Sequence, residues 1–262
     1  MEETLQIFST SLRSLRKEGL KLSWLEKKIL FNQWDLSKRH PVSTKTADYM
    51  DTILYNKKLK NFQDNDMKYK TEEGLYTENE IKNARLIIKN NNGLIFCTDI
   101  FAEMYSDATF ISLIRHPVSL YESHKRRQTP VAKSIKIFSD YYIKMINKMV
   151  MDYSNIPNYH IIKFENLLIN PIESIQTLYQ WAHLDFKQVH KIRLKAKPFM
   201  KMDGTHSTSY IQNKHYWFEL NDINQIINSN VNKHQEQQLN DSEKEKLLNS
   251  LGPALEKLGY NA

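Results

Sequence analysis

Apolar residues recur every three or four positions in two long parts of this sequence, and this spacing predicts amphipathic helices. The first is residues 4–35, with apolar positions at Leu5, Phe8, Leu12, Leu15, Leu22, Leu25 and Ile29. The second is residues 131–153, with apolar positions at Ile135, Phe138, Tyr142, Met145 and Met149. Since methionine and aromatic stripes at this spacing are typical of packed surfaces, we expect the second helix to line the core.

Short apolar runs without helical spacing predict strands at residues 108–115 and 159–164, and residues 93–96 are a third candidate. Short buried strands separated by helices are typical of a parallel sheet, so the pattern predicts a mixed α/β fold. Residues 57–85 are polar and charged, and we expect surface loop and short helix there. The sequence shows no internal repeat, low-complexity tract or domain linker.

Three sites carry the residues that begin or end helices. Asn170, Pro171 and Glu173 form a start signal with a capping box, and the helix is predicted to run to His183. Ser242 with Glu245 repeats the capping pattern near the end of the chain. Gly259 predicts a helix stop before Tyr260.

The stretch from residue 110 to residue 127 combines a strand, a basic turn and a helix, and reads FISLIRHPVSLYESHKRR. Pro117 suits the first position of that helix, where backbone N–H groups lack helical partners and the helix dipole favours an anion. Arg115 adds a fork of donors that matches phosphate oxygens, and Ser123 adds a hydroxyl two turns along. The unit therefore predicts a phosphate ligand.

Composition limits the classes of protein to consider. The chain has 262 residues and a single cysteine, Cys97, which excludes a disulfide framework and a cysteine-built metal site. We expect Cys97 to be a small buried hydrophobic residue rather than a reactive thiol. Its histidines have no metal-ligand spacing, so we expect no metal. No apolar run approaches the roughly 18 to 20 residues of a membrane span, and the first residues lack the apolar centre of a signal peptide. We expect a soluble, cytoplasmic protein.

The net charge of +7 is concentrated in two stretches. Residues 112–150 hold eight basic residues against Glu122 and Asp140: Arg115, Lys125, Arg126, Arg127, Lys133, Lys136, Lys144 and Lys148. Residues 187–201 hold six and no acid: Lys187, Lys191, Arg193, Lys195, Lys197 and Lys201. Each lysine taken alone fits a solvated helix face, whereas the clustering favours an anionic ligand or substrate.

The order of these segments resembles the sulfotransferase family, which transfers a sulfonate from 3'-phosphoadenosine 5'-phosphosulfate. Arg115 and Ser123 keep the family's eight-residue spacing, and about fifty residues later a second signature has the family's aromatic, Glu, Leu-rich and Pro positions: Phe164, Glu165, Leu167, Leu168 and Pro171. The resemblance covers about residues 94–184. It implies a P-loop-NTPase-like sulfotransferase fold, with a short central parallel sheet flanked by helices, in one domain over residues 1–262. It also implies donor binding by Arg115 and Ser123.

Other implied site residues lie outside that span. Lys45 is similar to a family lysine that reaches the transferring sulfonate, although Ala47 replaces the usual proline. Lys214, followed by Trp217, resembles a basic residue that closes on the nucleotide's 3'-phosphate; a surface loop with an anchoring aromatic is the alternative. Glu18 is the favoured catalytic base, with rivals at Glu26 and Asp35. Glu165 is interpreted as a structural carboxylate that holds a loop.

The main departure from the family concerns its amino-terminal phosphate loop. None of the six glycines follows an amino-terminal strand. The nearest remnant is residues 8–13, for which a helix start capped by Ser9 or Thr10 is the favoured alternative. Either the true start lies upstream of Met1, or the first strand–loop–helix is lacking, degenerate or replaced.

Three functions follow as hypotheses. The leading one is a sulfotransferase that acts on a hydroxyl or amine of a carbohydrate or small metabolite, with an anionic acceptor favoured by the basic stretches. The second is a non-catalytic or truncated protein of the same fold that binds a phosphorylated nucleotide or another anion. The third is a helical nucleic-acid-binding protein, which suits the pI of about 9.2 but lacks a known module, so we do not expect nucleic acid as a partner. Acceptor identity, pathway and oligomeric state stay open.

Overall fold

A computed structural model describes residues 44–63, 76–89, 92–195, 215–227 and 230–260. The chain forms two compact units, Met1–Ala108 and Thr109–Ala262. Among the described helices, none is both long enough and apolar enough to cross a bilayer. The predicted helix at residues 4–35 lies outside the described residues.

Helices form most of the described part of the first unit. They are α1 (Thr44–Gln63), α2 (Glu78–Asn83), a 3-10 helix (Asn92–Cys97) and α3 (Thr98–Met104). Thr77 begins α2 with a capping box, in which its hydroxyl accepts from the Glu80 amide and its own amide donates to the Glu80 carboxylate at 2.7 Å. The buried Lys58 of α1 donates to the Ala84 carbonyl at 2.8 Å, which ties α1 to the end of α2.

One expectation for this unit is wrong. Residues 93–96 lie in a 3-10 helix rather than a strand, because the chain turns directly into α3 and the Thr98 hydroxyl donates to the Ile95 carbonyl at 2.8 Å. In the segment at 57–85, expected to be loop and short helix, the described residues hold the end of α1 and the short helix α2. Cys97 is buried at the junction of the 3-10 helix and α3, as expected of a small hydrophobe.

The second unit begins with the predicted parallel pair. Strand β1 (Phe110–Ile114) pairs with β2 (Tyr159–Lys163) in a register that joins Phe110 to Tyr159 and Ile114 to Lys163. The connection between them holds α4 (Pro117–Arg126), a 3-10 turn (Pro130–Ala132) and α5 (Ile135–Asn155). The mixed α/β fold with a short parallel sheet is therefore confirmed.

The remaining elements follow β2. They are α6 (Phe164–Ile169), α7 (Pro171–Trp181), a 3-10 turn (Phe186–Gln188), β3 (Lys191–Lys195), β4 (His215–Glu219), a 3-10 turn (Leu220–Asp222), α8 (Ile223–Ile226), α9 (Val231–Gln237) and α10 (Asp241–Lys257). Strands β3 and β4 form a separate antiparallel pair. Helix α9 packs against α4, and α10 packs against α5.

The core of this unit lies on the predicted stripe of α5. Phe138, Tyr142, Met145 and Met149 are all buried, and α10 adds a second stripe of buried leucines: Leu247, Leu251 and Leu255. Ser134 begins α5 by accepting a hydrogen bond from the Ile137 amide at 3.2 Å. The prediction of a long core helix is confirmed, with its start four residues later than expected.

The predicted helix starts near the end of the chain need correction. Asn170 holds the position before α7, but its side chain makes no capping hydrogen bond, and α7 ends at Trp181 because His183 adopts a φ of 53°. Asn240, not Ser242, caps α10 and accepts from the Glu243 amide at 2.9 Å. Gly259 ends the helical region with a φ of 61°, a conformation that glycine adopts without strain, so the predicted stop is confirmed.

Candidate functional site

The turn between β1 and α4 carries the residues that most directly predict phosphate binding. Arg115 follows the last residue of β1, His116 holds the position before α4, and the buried Pro117 begins the helix. Strand β2 ends beside it, so Phe164 and Glu165 leave the sheet at the same edge as Arg115. The carboxyl edge of a parallel sheet is where ligands bind in open α/β folds.

The guanidinium of Arg115 is half-buried and contacts side chains of α9. Its Nε donates to Asn232 Oδ1 at 2.8 Å, and its Nη2 donates to Asn232 Oδ1 and to Gln235 Oε1. The Phe164 ring lies under the guanidinium, with 4.7 Å between its centroid and Cζ. Burial lowers the pKa of Arg115, and the nearby carboxylates, that of Glu165 first among them, oppose this shift.

Glu165 connects three parts of the second unit. Its Oε1 accepts from the backbone amide of His116 at 2.9 Å and from Asn232 Nδ2 at 2.6 Å. Its Oε2 accepts from the Tyr260 hydroxyl at 2.7 Å. The carboxylate therefore ties together the turn before α4, helix α9 and the end of the chain, which is the loop-holding arrangement expected of a structural carboxylate.

Ser123 lies in the second turn of α4 and is buried there with Ser119 and Glu122. Arg127 Nε donates to the Ser123 carbonyl at 2.8 Å. The charges of Glu122 and Arg127, which flank Ser123 along the helix, both act on the pKa of Arg115. Joint phosphate binding by Arg115 and Ser123 stays a prediction.

His116 is half-buried beside the carboxylates of Glu165 and Glu236. Its Nδ1 lies 3.6 Å from Glu236 Oε1, and its ring packs edge-on against Tyr260 with 5.4 Å between centroids. Burial lowers the pKa of His116, although Glu236 and Glu165 oppose the shift. We therefore expect a neutral imidazole at neutral pH.

The end of the chain contributes residues that the sequence motifs do not reveal. Lys163 Nζ donates to the Gly259 carbonyl at 2.8 Å and lies 4.4 Å from the centroid of the Tyr260 ring. These contacts hold Tyr260 against Glu165 and His116. The predicted helix stop at Gly259 was a signal for the bend, but nothing in the sequence indicates that Tyr260 reaches Glu165.

Several predicted site residues fall outside the described part of the chain. Lys45 lies in the first turn of α1, where the backbone alone is described. Glu18, its rivals Glu26 and Asp35, the possible loop remnant at 8–13, and Lys214 all lie outside the described residues. Their roles stay predictions.

Trp217 lies in β4, opposite Arg193 of β3. The Arg193 Cζ is 5.7 Å from the centroid of its ring, and the indole is partly exposed. Trp217 therefore belongs to a strand of an antiparallel pair. Its cross-strand partner comes from the second basic stretch, at residues 187–201.

Many of the basic residues in the first charged stretch pair with acids. Lys125 binds Glu243 at 2.6 Å, Arg126 binds Glu122 at 3.0 Å and Lys136 binds Asp140 at 2.9 Å, whereas Lys148 forms a buried pair with Asp152. These pairs account for much of the clustering, so charge counting overstates the case for an anionic ligand. Among the described residues, no group of acids, histidines or cysteines has the geometry of a metal site.

The comparisons with known proteins agree with the resemblance found in the motifs. The sequence model of the sulfotransferase family matches residues 30–188, more than half of the chain. This span includes Lys45, Arg115, Ser123 and Glu165. No individual curated protein and no solved structure matches the chain.

Proposed function

The chain belongs to the sulfotransferase family, whose members transfer sulfonate groups, and we propose that its donor is 3'-phosphoadenosine 5'-phosphosulfate. We propose as acceptor a hydroxyl or amine of a carbohydrate or small metabolite. The observation that carries the proposal is the position of Arg115 at the carboxyl edge of the parallel pair, in the strand–turn–helix unit that also holds Ser123. A guanidinium at this edge supplies fixed donors to the donor nucleotide's 3'-phosphate.

The reaction that this assigns is an in-line displacement at sulfur. The acceptor oxygen or nitrogen forms a bond to sulfur, the bond from sulfur to the bridging phosphate oxygen breaks, and adenosine 3',5'-bisphosphate leaves with the electron pair. The acceptor's proton passes to a base. Positioned cations and N–H donors stabilise the charge that develops on the bridging and sulfonate oxygens.

Within this reaction we assign Glu18 as base, Lys45 as the cation at the transferring sulfonate, and Lys214 as a further contact to the 3'-phosphate. These assignments follow from the resemblance of their segments to the family. We also propose one sulfotransferase domain of P-loop-NTPase-like fold over residues 1–262. The family match supports this, because residues 30–188 run across the division between the two units.

The proposal is tested by binding and by transfer. Isothermal titration should detect adenosine 3',5'-bisphosphate, and Arg115→Ala should weaken its affinity about ten- to hundredfold through loss of charge-assisted hydrogen bonds. Arg115→Lys keeps the charge without the fork and should weaken it less. Lys136→Ala removes a charge from an exposed position of α5 in the same unit and is the matched control. Transfer of labelled sulfonate to a panel of neutral and anionic acceptors then reports the reaction.

Two results would redirect the assignment. A wild-type protein that ignores the bisphosphate at millimolar concentration contradicts the proposal. Binding that depends on Arg115 without labelled product on any acceptor favours a non-catalytic nucleotide-binding protein of the same fold.

A further inference from the structure

Asn232 bridges the two charged groups of the candidate site. Its Oδ1 accepts from Nε and Nη2 of Arg115, and its Nδ2 donates to Glu165 Oε1 at 2.6 Å. The orientation of this amide is fixed by chemistry, since a guanidinium can only donate and a carboxylate can only accept. An asparagine at this place satisfies both neighbours at once.

The bridge determines which edge of the guanidinium faces α9. Asn232 and Gln235 together accept from Nε and Nη2. Among the described residues none accepts a hydrogen bond from Nη1, so no described group competes with a ligand for the donors at that end of the fork. The Phe164 ring fixes the plane of the group from below.

The other end of the bridge is itself fixed. Glu165 accepts from the His116 amide at 2.9 Å and from the Tyr260 hydroxyl at 2.7 Å, so its carboxylate cannot rotate without breaking both bonds. Because Asn232 is bonded to this fixed carboxylate, it also fixes the position of the guanidinium. The chain of contacts runs from Tyr260 through Glu165 and Asn232 to Arg115.

We propose that Asn232 is a positioning residue for Arg115. Asn232 holds the Nε–Nη2 edge of the guanidinium against α9, so that the Nη1 donors face the 3'-phosphate of the nucleotide. This inference rests on the proposed function and adds to it a residue outside both motifs. Gln235 also accepts from Nη2, but it makes no hydrogen bond to Glu165 and therefore does not connect the guanidinium to that carboxylate. An arginine fixed in this way loses less side-chain freedom when the phosphate binds.

Two substitutions separate positioning from simple stabilisation. Asn232→Ala removes the bridge and should weaken binding of adenosine 3',5'-bisphosphate about tenfold, while binding of adenosine 5'-monophosphate, which lacks the 3'-phosphate, should stay unchanged. Gln237→Ala removes an exposed amide from the same helix and is the matched control. A purely structural role would lower the melting temperature and weaken both nucleotides equally, and that result overturns the inference.

Asn232→Asp supplies the second readout and keeps the shape of the side chain. It places a second carboxylate against Glu165 and beside Arg115, and this negative charge opposes the phosphate. The loss of bisphosphate affinity relative to the wild-type protein should therefore be largest at pH 8. The ratio of variant to wild-type dissociation constants should fall between pH 8 and pH 5, because protonation of the carboxyl pair restores a donor to Glu165 and removes a charge. A ratio that does not change with pH overturns the inference, even where Asn232→Ala fails to fold.

The outcomes also separate this inference from the proposed function. Normal bisphosphate affinity in Asn232→Ala, together with loss of affinity in Arg115→Ala, overturns the positioning role alone. Failure of the wild-type protein to bind the bisphosphate overturns the proposed function and the positioning role with it.

Discussion

Tyr142 fixes the backbone of the candidate site from the core side. Its side chain is 1% exposed, and its hydroxyl donates to the Arg115 carbonyl at 3.0 Å. Burial raises its pKa, so the phenol keeps its proton as a donor at physiological pH. The residue that the motif singles out is thus held by α5 through its backbone and by α9 through its side chain.

Replacing Tyr142 by phenylalanine isolates that backbone contact. Tyr142→Phe keeps the packed ring but leaves a buried carbonyl without this donor, which should cost about 1 to 3 kcal/mol of unfolding free energy. Urea denaturation measures the loss. Tyr153→Phe, on the same helix with its ring 60% exposed, is the control and should change stability by less than about 0.5 kcal/mol. Equal losses in the two variants would contradict the assigned contact.

At the level of single residues, the sequence reveals those that belong to a motif and misses those that complete the site. Arg115 and Glu165 stand in recognisable patterns, and their placement at one sheet edge follows from two parallel strands. Asn232 lies 117 positions from Arg115, and Tyr260 lies 95 positions from Glu165. An isolated amide or phenol has no spacing pattern, so only the packing of α9 and of the chain end brings them to the site.

Helix α5 contains a buried ion pair one turn from its end. Lys148 and Asp152 are four residues apart, and each side chain is 3% exposed. Because removal of Lys148 leaves the buried Asp152 carboxylate without this cation, Lys148→Met should cost about 3 to 5 kcal/mol of unfolding free energy. The double variant Lys148→Met with Asp152→Leu should lose less than the sum of the single changes. Chemical denaturation of all four proteins gives the coupling, and additive losses would show that the charges do not interact.

Helix α10 tests which residue begins it. Asn240→Ala removes the cap to the Glu243 amide and should cost about 1 kcal/mol of unfolding free energy. Ser242→Ala, at the exposed position that the sequence pattern favours, should change stability by less than about 0.5 kcal/mol. Thermal or urea denaturation distinguishes the two positions. A larger loss at Ser242 would support the start predicted from the sequence.

At the level of elements, patterns with a strong period predict well and short runs do not. The stripe of α5 repeats over several turns, and its core role follows from the sequence. The run at 93–96, a glycine followed by three apolar side chains, is too short to separate a strand from a 3-10 helix by its pattern. Residues 191–195 alternate charged and apolar side chains, which is the period of a strand. Because these residues were considered only as part of a basic stretch, β3 was not predicted.

Across the whole molecule, net charge and local charge give different views. The chain carries +7, yet Lys125 and Lys257 make contacts with Glu243 and Asn147 that lie more than a hundred positions away in sequence. Counting along the chain cannot include such partners. The distribution of positive charge therefore depends on the fold, and the case for an anionic ligand rests on Arg115 and its surroundings rather than on the total.

Three histidines in the second unit make the stability of the fold depend on pH. The pKa values of His116, His124 and His160 are each lowered from the ordinary 6.5, with burial as the leading cause. The unfolded chain therefore binds more protons than the folded chain just below pH 6.5, and stability should fall as the pH drops through that region.

Urea denaturation at pH 7.5 and at pH 5.5 should show a lower midpoint at the acid value, in a range above the titration of ordinary carboxylates. His124→Gln should reduce the difference between the two midpoints, because it removes a half-buried imidazole whose charging opposes folding. His190→Gln, at an exposed position, is the control for the substitution itself. A midpoint that does not change between these pH values, or an equal effect of the two substitutions, would contradict the assignment of neutral, partly buried histidines to the folded state.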